Sequence, residues 1–284
     1  MNGKNNPILA AGTVIVPALV YFVILNVSMS VLTMAAVVLG GDPQRQYMML
    51  QVLASLVAIP FMFWYYRIDQ KNSAVFWKYM EFEWRKKNWI ERTANGALMF
   101  FAGAVFGMAW NNILMLTGLE EISGRYQEAQ AHFFAGDVLF EIVGACLLTP
   151  FLEEILYRGV VYGRIYDQAY VNHGGKNGRI IAMGFSALLF GVMHMNLVQF
   201  LYAGVLGILF AWFVEQAGHF YGAFLAHTGA NLMAVLRAET GLFSWMEPGS
   251  IAFYTGSAAL FAAGVFLTAV IACSSARQRN GGVK

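Results

Sequence analysis

The sequence TPFLEEILYRG, residues 149–159, places two glutamates and an arginine inside a long apolar run, residues 137–162. A charged side chain near the centre of a bilayer costs about 2.5 to 3.5 kcal/mol on insertion scales, so it needs a partner or a function. Glu154 and Arg158 lie four residues apart and can form an ion pair on one helix face. Glu153 points about 100° away from Glu154 and lacks that partner. Burial disfavours its charged form, which suits Glu153 to exchange protons with water near neutral pH.

Glu153, Glu154 and Arg158 also allow a purely structural interpretation. The three side chains could form one ionic cluster at the cytoplasmic rim of the helix, where it would stabilise the fold without reacting. This segment alone leaves both interpretations open.

The composition of the whole chain indicates which solvent surrounds this helix. Of the 284 residues, 58% are hydrophobic and 12% are charged, whereas about 25% are charged in an ordinary soluble domain. A net charge of +2 gives neither the self-repulsion of a disordered chain nor the basic surface of a nucleic-acid-binding protein. We therefore expect an integral membrane protein whose partner is the lipid bilayer, and no nucleic acid.

Eight apolar runs are long enough to cross a hydrocarbon core of about 30 Å as helices of about 20 residues. They cover residues 8–39, 47–66, 94–118, 137–162, 180–196, 197–215, 220–237 and 251–273. The sequence therefore predicts an all-α, polytopic membrane protein of about eight transmembrane helices in a single domain, residues 1–284. The core that carries the polar motifs is expected at about residues 137–237, after N-terminal spans and an interfacial segment within residues 1–118.

Basic residues are distributed unequally between the two sides of these spans. Lys and Arg in short loops tend to stay on the cytoplasmic side of a membrane. Of the 18 Lys and Arg residues, only three fall on one side: Arg45, Arg125 and Arg237. Nearly all the others fall on the side of the termini, so both termini are predicted to be cytoplasmic. The short loops favour a bacterial inner (plasma) membrane.

Residues 72–92 interleave aromatic and basic side chains. This composition is typical of a helix that lies at the lipid headgroup surface. A plain cytoplasmic connecting loop is the alternative. In either form the segment would anchor the protein and need not react.

Cysteine chemistry is not expected in this chain. Cys146 and Cys273 both lie in apolar runs, so we expect two small buried residues and neither a disulfide framework nor a cysteine-based zinc site. The first apolar run, residues 8–39, far exceeds the roughly 7 to 15 residues of a cleavable signal core. It is expected to remain as a membrane span.

Two further apolar runs carry polar side chains that suit catalysis. His194 closes the fifth run, and His227 and Asn231 lie one turn apart on one face of the seventh. In a membrane helix such residues commonly hydrogen-bond to a neighbouring helix, and this is the structural alternative for all three. Glu215 lies at the end of the sixth run, where we expect its side chain to snorkel to the surface.

The combination of these residues favours chemistry. A carboxylate, two imidazoles and a carboxamide are sufficient to add water to an amide. One group takes a proton from water, another delivers a proton to the leaving nitrogen, and donors stabilise the oxyanion. The same groups could bind a divalent metal ion.

At these residues the sequence resembles the CAAX-protease and bacteriocin-processing enzyme (CPBP) family of intramembrane proteases. That family has a Glu-Glu-x-x-x-Arg motif, a Phe-x-x-x-His motif and a His-x-x-x-Asn motif. Residues 153–158, 190–194 and 227–231 match the three motifs in order. Each motif is weak alone, but three in order within apolar runs are specific, although they cover less than a third of the chain.

The resemblance implies an eight-helix fold that encloses a conical, polar cavity open to the cytosol. It implies that Glu153 and His194 activate the attacking water, while His227 and Asn231 polarise the scissile carbonyl and hold the oxyanion. Arg158 would orient the acidic pair. The implied activity is that of a membrane-embedded endopeptidase.

The residues themselves favour a site without a cofactor. A catalytic zinc ion needs three protein ligands and a water, which Glu153 or Glu154, His194 and His227 could supply. However, no His-Glu-x-x-His spacing puts two ligands on one helix. We therefore expect no cofactor, with zinc at Glu153, His194 and His227 as the alternative.

The substrate and two other functions stay open at this point. The family resemblance covers cleavage of a prenylated C-terminus, as in a lipidated protein, and of other membrane-associated peptides. A non-catalytic membrane scaffold or bacteriocin-immunity protein would use the same fold without turnover. A transporter or channel is less favoured, because the buried charges cluster in one patch and do not mark a route across all spans.

Overall fold

The protein is a bundle of helices, and residues 7–281, which the structure describes, contain no β-strand. The structure is a computed structural model. The helices are α1 (Pro7–Val38), α2 (Tyr47–Asn72), α3 (Phe76–Arg85), α4 (Trp89–Met115), α5 (Leu119–Ile122), α6 (Gly124–Phe133), α7 (Val138–Glu141), α8 (Thr149–Glu154), α9 (Tyr162–Val192), α10 (Leu197–Ala217), α11 (Tyr221–Thr240) and α12 (Ile251–Gly281). Two π-helical segments, Ile142–Leu148 and Ile155–Val161, flank α8.

The predicted all-α membrane class is confirmed, whereas the number of spans is not. Among the described residues, five helices are long and apolar enough to cross a membrane: α1, α2, α4, α10 and α12. A sixth is counted if α6 and the segment Val138–Val192, which are bent by 116° relative to each other, form one broken span. The count of eight therefore stays a prediction, although each of the eight apolar runs is largely helical.

The central contact of the bundle is between α4 and α11. A β-carbon added at Gly103 would overlap the carbonyl oxygen of Ala226, and one added at Gly229 would overlap the carbonyl oxygen of Phe100. Small residues let the backbones of membrane helices approach closely. This contact fixes the position of His227, which lies between Ala226 and Gly229 in the sequence.

The segment that carries the two adjacent glutamates is an irregular helix. α8 is an α-helical stretch of six residues between the two π-helical segments. Pro150, in its first turn, has no N–H to donate to the preceding turn. A π-helical turn inserts an extra residue, is found frequently at functional sites, and shifts the register of the side chains that follow.

One end of the bundle, which we call the basic end, carries most of the basic side chains. They include Arg67, Lys71, Arg85, Arg92, Arg164 and Arg179. Arg164 of α9 donates two hydrogen bonds, of 2.8 and 2.9 Å, to Asp69 at the end of α2. Asp167 accepts from the Ser73 hydroxyl and from the backbone N–H of Phe76, each at 2.7 Å. These contacts tie α3 to α9.

Residues 72–92 include a helix, α3, but its buried face packs against protein. The Phe76 ring stands edge-on to Tyr162, and the Trp77 ring stands edge-on to Tyr66, each with ring centroids 5.1 Å apart. Phe76 and Trp77 are buried. α3 therefore closes the basic end of the bundle, while other aromatic residues of the segment stay exposed.

Two expectations about single residues were wrong. Glu215 does not snorkel, because α9 covers it: its carboxylate is buried and binds Arg179 and the hydroxyl of Tyr162. Cys146 is buried as expected, but Cys273 is exposed. The reason is that other helices cover little of α12.

We predict that Gly103→Ala destabilises the protein, because the new methyl group would overlap the Ala226 carbonyl. Overpacking of this kind costs about 1 to 3 kcal/mol, which thermal unfolding in detergent would detect. Gly184→Ala is the matched control, since a β-carbon at Gly184 on α9 meets open space; it should be neutral or slightly stabilising. Equal stability of the two variants would contradict this account of the contact between α4 and α11.

Candidate active site

The deepest element of the site is the ion pair between Glu154 and Arg158. Arg158 Nε lies 3.1 Å from Glu154 Oε2, and both side chains are 0% exposed. Arg158 Nη2 also donates to the carbonyl of Gly207 at 3.0 Å. The guanidinium lies over the rings of Phe190 and Phe210, 4.6 and 5.6 Å from their centroids, where cation–π attraction adds to the pairing. The arginine is therefore held by three different helical segments.

His227 connects this buried pair to Glu153. Its Nδ1 lies 2.9 Å from Glu154 Oε1, and its Nε2 lies 3.8 Å from Glu153 Oε2. The Phe210 ring stacks on the imidazole with ring centroids 5.0 Å apart. A carboxylate can only accept, so Nδ1 donates to Glu154 and the other ring nitrogen faces Glu153. Glu153, whose side chain is 15% exposed, is the outer of the two acids.

His194 lies at the turn between α9 and α10. Its Nδ1 is 2.9 Å from the carbonyl oxygen of Phe190. Because a carbonyl only accepts, Nδ1 carries the proton, and Nε2 of the neutral ring is a free acceptor. Asn196 caps α10 by accepting from the backbone N–H of Gln199 at 2.9 Å, which keeps this turn short. The Phe190 ring contacts both imidazoles, with centroids 5.0 Å from His194 and 5.7 Å from His227.

Asn231 lies one turn beyond His227 on α11. Its Nδ2 donates to the carbonyl of Ala145 at 2.8 Å. Ala145 belongs to the first π-helical segment, so this hydrogen bond joins α11 to the irregular helix that carries the glutamates. The hydrogen bond to Ala145 thereby fixes the orientation of the Asn231 carboxamide.

A cavity of about 590 Å³ brings four of the six predicted residues together. Glu153, His194, His227 and Asn231 all line it. Glu154 and Arg158 lie behind this wall, where they contact His227 and each other. The volume is in the range of pockets that bind organic ligands, so it has room for a peptide segment as well as water.

The cavity opens at the end of the bundle opposite the basic end. We call this the open end; it is formed by α5, α6, the first turn of α2 and the last turns of α4 and α11. Ala234 and Ala238 line the cavity and are exposed. Arg237 donates to Asn112 Oδ1 at 2.7 Å beside the mouth. Burial raises the pKa of the Glu120 carboxyl, while the nearby Arg237 charge and a hydrogen bond with Tyr126 oppose this shift.

Two expectations about the cavity cannot both hold in this fold. The resemblance implies an opening to the cytosol, whereas the distribution of Lys and Arg predicts that the basic end is cytoplasmic. α1 begins at the basic end, since Arg164 binds the Thr13 carbonyl there. The cavity mouth and the start of α1 therefore lie at opposite ends of the bundle.

Sequence reasoning missed several residues of the site. Phe210 stacks on His227, and the carbonyl groups of Gly207 and Ala145 orient Arg158 and Asn231. An apolar ring or a backbone carbonyl in an apolar run has no distinguishing sequence pattern. Glu120 was also missed, and the charge of Arg237 was used only for orientation, although both line the cavity.

The three side chains named as alternative zinc ligands, Glu153, His194 and His227, line the same cavity. In the described part of the chain, no group of three or more His, Cys, Asp and Glu side chains is arranged to hold a metal ion. One nitrogen of His227 faces Glu154 and one nitrogen of His194 faces the Phe190 carbonyl. The second nitrogen of His227, Nε2, lies 3.8 Å from Glu153 Oε2, and zinc stays the alternative to a site without a cofactor.

Fold and site together define a helical membrane protein with acid, imidazole and amide groups around a cavity between its helices. Residues 135–233 match the family model described as Type II CAAX prenyl endopeptidase Rce1-like. All three motifs lie within this segment, so the predicted resemblance is confirmed there.

A curated protein is similar to part of the chain. The chain is 24% identical over 109 residues to "Putative membrane peptidase YdiL" of Bacillus subtilis (strain 168). The matched region is 38% of this chain and 41% of the length of that relative. No solved structure matches the chain.

We predict that Arg158→Met strongly destabilises the protein, because it leaves Glu154 buried without its cationic partner. Breaking a buried pair in this way costs about 3 to 5 kcal/mol, measured by chemical or thermal unfolding in detergent. Arg85→Met is the control, because the Arg85–Glu81 pair is exposed on α3 and such pairs contribute about 0 to 1 kcal/mol. A loss for Arg158→Met no larger than that of the control would disprove the role assigned to the buried pair.

Proposed function

We propose that the protein is an intramembrane endopeptidase that hydrolyses a peptide bond with a water activated by glutamate and histidine. The observation that carries this proposal is the convergence of Glu153, His194, His227 and Asn231 on one cavity within the helical bundle. The family match over residues 135–233 supports it. The proposed substrate is a peptide at the membrane, either a prenylated C-terminus or another membrane-associated segment.

Proton transfer in this proposal begins at Glu153. Its carboxylate takes a proton from the water as the water oxygen attacks the carbonyl carbon of the scissile bond. His194 accepts a hydrogen bond from the same water at Nε2, because its Nδ1 proton is engaged by the Phe190 carbonyl. The water is thereby held between two acceptors before it attacks.

The carbonyl oxygen becomes an oxyanion as the carbon–oxygen bond to water forms. His227 and Asn231 are the proposed donors, since both line the same wall of α11. The Glu154 carboxylate stabilises positive charge on the His227 imidazole through their 2.9 Å contact. When the carbon–nitrogen bond breaks, the proton held by Glu153 passes to the leaving amine, and the free enzyme is restored.

We predict that Glu153→Gln lowers peptide cleavage at least 100-fold, because an amide cannot take a proton from water, and general-base catalysis contributes about 10²- to 10⁴-fold. The assay is cleavage of a membrane-associated peptide by purified protein in liposomes. His194→Ala should also lose activity. Glu81→Gln, on the exposed face of α3, is the matched control and should retain full activity.

These variants separate the protease from the scaffold hypothesis. A scaffold or immunity protein would keep its biological activity with Glu153→Gln and His194→Ala. The comparison requires that both variants insert into the membrane and have the same thermal unfolding temperature as the unsubstituted protein. Undiminished peptide turnover by both folded variants would disprove the proposed mechanism.

We propose that hydrolysis is independent of a metal ion, because in the described part of the chain no group of three or more His, Cys, Asp and Glu side chains is arranged to hold one. Protein stripped with a strong chelator should therefore cleave the same peptide at an unchanged rate. The control is the same preparation after zinc is added back. Loss of activity on stripping, followed by rescue with zinc, would favour the zinc alternative at Glu153, His194 and His227.

A further inference from the structure

We propose that the cavity takes its substrate from the non-cytoplasmic side of the membrane. The substrate would then be a peptide segment displayed at the outer face, and not the prenylated C-terminus of a cytosolic protein. That the cavity binds a substrate rests on the proposed function. The direction in which the cavity opens rests on geometry and charge alone.

The cavity walls come from one half of the bundle. Their outer part is formed by the first turns of α2 and α10, the last turns of α4 and α11, and the loop helices α5 and α6, and the irregular helix around α8 closes the inner part. Glu153, Phe210 and His227 form the inner part, and Ala238 lies near the mouth at the end of α11. The path from bulk water to Glu153 therefore starts at the open end.

The basic end is sealed by packed protein. Tyr162, Phe213 and Phe76 of α3 are each 0% exposed, and the Phe76 ring packs edge-on against Tyr162. Beneath this layer, the Glu215 carboxylate binds Arg179 and the Tyr162 hydroxyl. Aromatic rings and an ion pair with a buried carboxylate thus separate the Glu154–Arg158 pair from that end of the bundle.

The charge distribution assigns each end to one side of the membrane. The basic end carries Arg and Lys in the last turns of α2, in α3, in the α3–α4 connection and in α9 near Gly174, where the backbone leaves helical geometry. The open end carries only Arg45, Arg125 and Arg237 among the described residues. Since Lys and Arg of short loops are retained in the cytoplasm, the sealed end faces the cytoplasm and the open end faces outward.

The mouth has the chemistry of an amphipathic peptide site. Phe133, Phe134 and Met115 provide apolar surface, and Glu120 and Arg237 provide one charge of each sign. An extended or partly helical segment at the outer interface could place its apolar side on the rings and its backbone over Glu153. A cytosolic chain would have to cross the sealed end first.

Thiol labelling tests the direction of opening without reference to cleavage. In a background with Cys146→Ala and Cys273→Ala, single cysteines are introduced as Ala234→Cys in the cavity wall, Ala238→Cys at the mouth and Asn177→Cys at the basic end. All three positions are exposed. A membrane-impermeant, charged maleimide is then added to intact spheroplasts and, separately, to detergent-permeabilised ones.

We expect Ala234→Cys or Ala238→Cys to be labelled in intact spheroplasts at least 10-fold faster than Asn177→Cys. Asn177→Cys should react only after permeabilisation. The proposal is overturned if Asn177→Cys reacts in intact spheroplasts, or if both cavity variants react only after permeabilisation. Two cavity positions keep the test decisive if one variant fails to fold.

The result is independent of the proposed function. Outward labelling without peptide cleavage would retain the direction of opening and reject the protease. Cleavage with labelling only from the cytoplasmic side would retain the protease and reject an outward-facing substrate.

Discussion

The buried pair of Glu154 and Arg158 is the constraint on which the rest of the site depends. Two opposite charges with no exposure to solvent are tolerated in a membrane helix because they neutralise each other and because each makes a further polar contact. Arg158 uses the Gly207 carbonyl and two aromatic rings, and Glu154 uses His227. The pair thereby joins α10 and α11 to the irregular helix that carries it.

As a consequence, the two adjacent glutamates have different environments. Glu154 is fully committed to Arg158 and His227, whereas Glu153 reaches the cavity and shares His227 from the other side. The close packing of Gly103 and Gly229 fixes the His227 imidazole, so stability of the α4–α11 contact and geometry of the site are linked.

Several features of the site follow from residues that pattern analysis could identify. Charged and polar side chains in apolar runs are recognisable because inserting them into a membrane costs free energy. This property identified Glu153, Glu154, Arg158, His194, His227 and Asn231. Spacing of four residues was sufficient to predict that Glu154 and Arg158 share a face, and the structure pairs them. Spacing could not predict that His227 bridges both glutamates, because this contact joins residues that are far apart in the chain. Glu215 shows the same limit, since its burial depends on Arg179 and Tyr162 from another helix.

The sequence by itself determined that this is an all-helical membrane protein, that its polar motifs lie in the second half of the chain, and that its basic residues collect on one side. These properties depend on composition and local periodicity, which can be read from the sequence without knowing any contact between helices. Only the tertiary structure decided which polar groups meet, which end of the bundle is closed, and where the cavity opens. Those properties depend on contacts between helices, and the packing of side chains from distant segments sets them.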